Sequence, residues 1–236
     1  MSRKSLHVGA TGQDVVIIGG GIVGAATAYF LARDSQFSGR IVVLEQDPSY
    51  AQAATALSAS SIRQQFSTPI NIALSQHGLA FLRAAPQLLA VDGEAPALPF
   101  EERGYLYLAT AAGAPSLRAL NDVQRACGAD IALLEPPALA RRFPWLETAD
   151  IALGSLGLSG EGWFDGWSLL QALRRKARAL GTAWRTAEVV GLRMHERGVH
   201  GVTLADGTGV DAGCVVNAAG PHAARVAHMA GVALPV

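Results

Sequence analysis

The sequence predicts an α/β fold: a Rossmann-like dinucleotide-binding domain with a β-rich domain inserted into it. Three observations carry that expectation. The stretch "DVVIIGGGIVGAATAYFLA" (residues 14–32) reads as a buried strand, three consecutive glycines and a small-residue helix. A second strand-glycine-helix turn, "CVVNAAGPHAARVAHMAG", returns late in the chain. The middle is richer in strand signals and carries no internal repeat or low-complexity linker. Strand–helix alternation at both ends around a different pattern marks one domain split by another.

Each element has its own warrant. Residues 15–18 are continuously apolar, as in a parallel strand covered on both faces. Residues 22–33 have helical length and run into the polar turn "RDSQFSGR". Residues 41–44 form a second buried strand, completing a βαβ unit of the size a right-handed crossover needs. Small and polar residues dominate 50–66, read as a long ordered loop with one helical turn. Pro69 opens a helix to about residue 84, with Ile70, Ala73, Leu74, His77 and Phe81 near helical spacing. The segment 100–110 alternates like a strand at its end, and 115–127 is a helix stopped by Gly128. A short strand (131–134), a short helix (137–143) and a glycine-bearing strand (151–166) follow. Residues 167–180 form a helix that Gly181 ends. Strands 189–194 and 199–204 flank "HERG" as a hairpin, and Asp206-Gly207 marks another tight turn. Strand 214–220 then feeds a helix over 221–230.

Composition narrows the function classes. The 236 residues are 50% hydrophobic, enough for a sizeable core. Nineteen basic residues balance 19 acidic ones, and no basic stripe is interleaved with aromatics, so a nucleic-acid partner is not expected. Cys127 and Cys214 lie far apart and the six histidines are scattered, which leaves a metal site without a ligand cluster. Scarce cysteine, a polar opening "MSRKSLHVGATGQ" with no signal-peptide core, and no apolar run of membrane-spanning length lead to the expectation of a cytoplasmic protein.

The chemistry lies in the glycines. Gly19, Gly21 and Gly24 fit G-x-G-x-x-G: the first permits the tight turn, the second lets backbone amides approach a pyrophosphate, and the third lets helix and strand pack closely. The helix start adds free N–H groups and partial positive charge. Glu45 ends the second strand about 20 residues past the motif, where an acid accepts hydrogen bonds from ribose hydroxyls and disfavours a 2′-phosphate. The fingerprint alone leaves NAD and FAD both open. The late strand-glycine-helix turn favours an extended dinucleotide gripped by separated segments.

With these residues in view, the chain resembles a known family. "DVVIIGGGIVGAATAYFLA", "IVVLEQD", "SASSIRQQFS", "GWFDGWSLLQALRRKARALG" and "VVNAAGPHAARVA" together resemble the FAD-dependent oxidoreductases of the D-amino acid oxidase superfamily, in the sarcosine oxidase, glycine oxidase and dimethylglycine dehydrogenase branch. The resemblance implies a flavoprotein that oxidises the C–N bond of an amino acid or secondary or tertiary amine by hydride transfer to flavin N5. It implies FAD contacts from Gly19, Gly21, Gly24, Glu45, the loop serines Ser58, Ser60 and Ser61, Val189, Ala218, Ala219 and Gly220. Arg63 would bind a substrate carboxylate, its planar fork suiting that task, and Trp163 and Phe164 would line the substrate side. The cluster Arg174, Arg175, Lys176 and Arg178 is read as a solvated helix face.

The implied organisation is an FAD-binding domain in two parts, 1–92 and 161–236, around a partial substrate domain, 93–160. Some relatives hold flavin covalently through a histidine where this chain has Ser58-Ala59-Ser60-Ser61, so non-covalent FAD is expected. Relatives also continue past the segment resembling residues 234–236. The C-terminal part of the fold is therefore expected to be absent, the chain to be an amino-terminal portion with a half-built substrate site, and a partner chain or missing half to complete it. The competing readings are an NAD-dependent dehydrogenase with a β-rich insertion and a non-catalytic dinucleotide-binding subunit.

Overall fold

The computed structural model describes residues 13–196 and 198–235. The opening residues on which the signal-peptide expectation rests, and Arg197 of the "HERG" turn, lie outside them. The elements run, in chain order, β1 (Val15–Ile18), α1 (Ile22–Arg33), β2 (Ile41–Glu45), α2 (Ala54–Leu57), β3 (Ser61–Ile62), α3 (Pro69–Leu88), β4 (Phe100–Glu101) and β5 (Leu106–Ala109). They continue with α4 (Ala114–Ala126), β6 (Ile131–Leu134), α5 (Pro136–Arg142), β7 (Leu153–Gly157), β8 (Gly162–Phe164), α6 (Gly166–Ala179) and β9 (Ala183–Thr186). The hairpin strands β10 (Val189–His195) and β11 (Gly198–Leu204), then β12 (Gly209–Asp211), β13 (Cys214–Asn217), a 3-10 turn (Gly220–His222) and α7 (Ala223–His228) complete the chain.

The described residues fall into two compact units. One holds the residues up to Ser58, Leu89–Pro96 and those from Gly166 onward; the other holds Ala59–Leu88 and Ala97–Asp165. This division differs from the expected boundaries: the second unit begins at Ala59, not at residue 93. The physical reason is the buried side of α3, whose Ile72 packs with Ala129 and Ile131, partners that lie in the second unit.

The first unit is built on a parallel sheet in the order β13-β1-β2-β9. Val15 pairs with both Cys214 and Ile41, and Val42 pairs with Ala183. Taken as parallel strands in chain order this is 4-1-2-3, so the order reverses at β1, where open α/β sheets bind ligands. Both faces of the sheet are covered. Val16, Ile18, Val42 and Leu44 pack with Val189, Val202, Leu204 and Val210 from the antiparallel sheet β10-β11-β12. Ile17 faces α1 beside Gly24 on the opposite side, and α1 packs against α6. Ile17 and Val43 are fully buried, and each such side chain contributes about 1.5–3 kcal/mol relative to exposure.

The second unit carries two antiparallel sheets, β3-β8-β4 and β5-β7-β6. Helix α3 runs one turn further than expected, to Leu88, with Pro86 in its last turn. There the missing N–H forfeits one backbone bond and the helix stops two residues on. The late helix also differs: a 3-10 turn over Gly220–His222 precedes α7, so the glycine-proline start bends the chain before the α-helix proper. Strand β9 has no counterpart in the sequence reading. Among the described residues no helix is long and apolar enough to cross a membrane, and no cluster of three potential metal ligands occurs.

Candidate functional site

The site is built at the carboxyl ends of β1 and β2. Gly19 leaves β1 with φ +100° and donates its N–H to Leu44 O at 2.9 Å. A side chain there would strike the Ala218 carbonyl, and one at Gly24 would strike Gly19 O. The first and third motif glycines are thus required by backbone approaching backbone. Gly21 precedes α1 and supplies no side-chain cap, and the first turn of α1 holds no acid. The partial positive charge at this helix start is left for another group to meet.

Gly20 is the position the fingerprint leaves free, yet it too is enclosed. A Cβ there would lie 2.9 Å from Tyr50 Oη, 3.0 Å from Trp184 Cζ2 and 3.1 Å from Glu45 Cβ. Tyr50 is buried with φ +57°, and Trp184 Nε1 donates to its hydroxyl at 3.3 Å. Burial pushes the Tyr50 phenol up from its ordinary value, with Trp184 and Arg174 opposing. The Arg174 guanidinium lies 6.0 Å from the Tyr50 ring and 5.5 Å from Trp184. This corrects the solvated-face reading of the basic cluster: Arg175 and Arg178 are exposed, whereas Arg174 and Lys176 are half-buried, and Lys176 Nζ donates to Ala90 O at 2.7 Å.

Glu45 turns into the corner. Its Oε2 accepts from Gly20 N at 2.7 Å and its Oε1 from Asp47 N at 2.9 Å. Each carboxylate oxygen keeps a lone pair for a further donor. The Ser49 hydroxyl and N–H hold the Asp47 carboxyl below the usual carboxylate range. Thr55 Oγ1 accepts from Ile22 N at 3.1 Å, so α2 lays a hydroxyl over the first amide of α1. Across the corner, Ala218 N donates to Ile18 O at 2.9 Å, and Asn217 Nδ2 braces the turn through Ala223 O at 2.8 Å.

These groups line one cleft of about 390 Å³ within the first unit. Gly19, Gly21 and Glu45 form one wall, Ala218, Ala219 and Gly220 another, and Ser58 and Val189 also line it. Gly24 lies behind, at the helix–strand contact. Ser60 and Ser61 do not line it; they belong to the second unit, where Ser60 O accepts from Phe164 N at 3.0 Å and Ser61 pairs with Trp163. Tyr50, to which the sequence reading gives no role, lines it together with Thr55. A volume within about 300–1,000 Å³, apolar walls and a few converging polar groups are the properties of a cofactor pocket. The glycine cradle and the inward carboxylate fit a dinucleotide.

Arg63 sits in the second unit. Its guanidinium lies 5.0 Å from the Phe66 ring and 5.6 Å from Tyr105, and its buried Nε has no hydrogen-bond partner. Trp163 is half-exposed in β8, beside Phe164.

A parallel sheet whose order reverses at β1, with a glycine-walled cleft and an inward acid at that point, defines a dinucleotide-binding α/β protein. Comparison with known proteins gives the family. The model of the family described as "DAO: FAD dependent oxidoreductase" matches residues 14–236, and the chain belongs to that family. It is 39% identical over 247 aligned residues to "FAD-dependent oxidoreductase domain-containing protein 1" of Bos taurus, covering 96% of this chain and 51% of that protein. It is 28% identical to "Sarcosine oxidase subunit beta" of Arthrobacter sp, covering 94% and 55%. The crystal structure of glycine oxidase from Geobacillus kaustophilus superposes with a TM-score of 0.79 at 26% identity, covering 94% of this chain and 59% of that one. The chain spans about half the length of the curated relatives it matches. The family is one of FAD-binding flavoproteins related to amino-acid and amine oxidases, which sets the nicotinamide alternative aside.

Proposed function

We propose that the chain forms the cofactor-binding corner and a substrate-carboxylate contact of an FAD-dependent enzyme that oxidises the C–N bond of an amino acid or a secondary or tertiary amine. In this reading the first unit binds FAD and the second belongs to the substrate domain. Bound flavin would supply the acceptor, taking a hydride equivalent at N5 from the carbon beside the amine nitrogen. The amides at Gly19 and Gly21 and the start of α1 would meet the diphosphate, Glu45 the adenosine ribose, and Val189 the adenine. Ala218, Ala219 and Gly220 would close the opposite wall, with Ser58 beside the cofactor. With no histidine in the Ser58-to-Ser61 loop, FAD would be held non-covalently. Arg63 would grip the substrate carboxylate with its guanidinium. Scarce cysteine supports a reducing compartment, the cytoplasm.

The observation that carries the proposal is the Glu45 carboxylate turned into the glycine corner, 2.7 Å from Gly20 N. Calorimetric titration of the purified chain with FAD and with NAD tests it. Binding of FAD, a yellow protein and no heat from NAD are expected; folded protein that ignores FAD, or takes NAD as readily, overturns it.

A further inference from the structure

The second unit contains a buried acid that neither the family likeness nor the cofactor cleft accounts for. Glu161 is fully buried. Its place is made by glycines: a Cβ at Gly157 would collide with Glu161 Oε2, and one at Gly160, where φ is +74°, with Gln64 Nε2. Three donors converge on the carboxylate. Gln64 N reaches Oε1 at 2.6 Å, Gln65 Nε2 reaches Oε2 at 2.9 Å, and the Gln65 N–H also points at it. Gln65 is saturated in turn: Nε2 also donates to Tyr105 O at 2.8 Å, and its Oε1 accepts from Ser155 Oγ at 2.8 Å. Once ionised, the carboxylate can accept from all three donors, which offset part of the cost of its burial.

All of these bonds end on the two residues that follow Arg63, or on Tyr105, whose ring the Arg63 guanidinium overlies. Arg63 O is fixed as well, accepting from Ser75 Oγ. The buried Nε of Arg63 has no hydrogen-bond partner; its guanidinium lies against the Phe66 and Tyr105 rings and its charge acts on Glu161. The cluster therefore holds the backbone from Arg63 to Gln65 and the Tyr105 carbonyl, whose ring the Arg63 guanidinium overlies.

We propose that Glu161 is a positioning residue, which through Gln64, Gln65 and Tyr105 fixes the Arg63 guanidinium for carboxylate binding. This rests on the reading of Arg63 given above. A buried charge is costly unless fully hydrogen-bonded, and an apolar core would hold a loop at least as firmly. The carboxylate is the group that can bind two consecutive residues and a glutamine amide at once.

The test is an NMR titration of the full chain carrying FAD with acetate, and with acetamide as the uncharged control. The readout is the Arg63 Nε–H resonance, identified by its loss in Arg63→Lys. Wild type is expected to shift with acetate and not with acetamide. Glu161→Gln keeps size but sets an amide donor against the converging donors. It is expected to move the Arg63 resonance in the free protein and weaken acetate binding about tenfold, while the Gly20 amide of the first unit stays in place. An unmoved Arg63 resonance with acetate affinity within about twofold of wild type would make Glu161 a plain core acid and sink the proposal. So would a variant in which Gly20 moves as much as Arg63. If Glu161→Gln does not fold, Ser155→Ala loosens Gln65 more gently; a loss of acetate affinity of about twofold or more supports the proposal and no change overturns it. Acetate affinity retained in Arg63→Lys would instead defeat the carboxylate reading of Arg63 itself.

Discussion

The Glu45 carboxylate and the Gly20 amide are joined by a hydrogen bond of 2.7 Å. The end of β2 and the turn after β1 are thereby tied into one corner, on which the proposed ribose contact would add a second role for the same acid. Its other oxygen holds Asp47 N, so the next turn of the chain is tied to the same group.

Replacing Glu45 should expose both roles. Glu45→Ala leaves the buried Gly20 N–H and the Asp47 N–H without this partner, which costs about 1–3 kcal/mol of stability. FAD affinity should fall about tenfold or more with loss of charge-assisted bonds to the sugar. Urea unfolding of the FAD-free chain and FAD titration measure the two separately. Full FAD affinity in a stable Glu45→Ala variant would contradict the ribose assignment.

The middle glycine of the triplet gives a steric prediction. Gly20→Ala must push against Tyr50 Oη, Trp184 and Glu45 Cβ at 2.9–3.1 Å, a tightness that costs about 1–3 kcal/mol. Tyr50→Phe removes the nearest of these atoms. The double variant should therefore be more stable than the sum of the single effects, and a double-mutant cycle by urea denaturation reads that coupling.

Thr55→Val removes the acceptor for Ile22 N while keeping shape. Loss of a hydroxyl that caps a helix start costs about 1 kcal/mol. The expected result is a lowered denaturation midpoint without a change in slope, and weaker amide-exchange protection confined to the first turn of α1.

Glu161 sets a pH dependence whose sign can be worked out. Burial raises its carboxyl above the ordinary glutamate value of 4.5, against hydrogen bonds from Gln65 and Gln64 and the charge of Arg63. A group held more tightly protonated when folded adds stability that is complete below the unfolded value and lost as pH rises through the folded one. Wild type should therefore lose stability relative to Glu161→Gln as pH increases from 4.5 upward. Urea midpoints of both proteins over that range check it; parallel curves would show that the carboxyl does not titrate differently in the two states.

Much of the first unit was legible because its signals are local. An unbroken apolar run, glycines at fixed offsets and an acid at the end of the second strand follow from backbone geometry within one βαβ unit. Strand β9 was not legible: "AWRT" has neither an apolar run nor clean alternation, and it is a strand because β2 offers it an open edge. The glycine at position 20 reads as a free choice until Tyr50 and Trp184, both distant in sequence, are seen beside it. Arg174 reads as solvated until Tyr50 and Trp184 are placed under it. Glu161 sits in a glycine-rich stretch that suggests an exposed turn, and only the approach of residues 64 and 65 makes it interior. The stretch from Ala54 to Ser61 reads as one loop because nothing local marks the division between the two units, which falls after Ser58.

The pairing of Val15 with Cys214 has a consequence for biosynthesis. During translation the glycine turn emerges early, but the strand that walls its far side leaves the ribosome only after the whole second unit has been made. A nascent chain stalled before Cys214 would leave one edge of β1 with unpaired N–H and C=O groups and would lack one wall of the cleft. Completion of the cleft is in this sense a late event of synthesis.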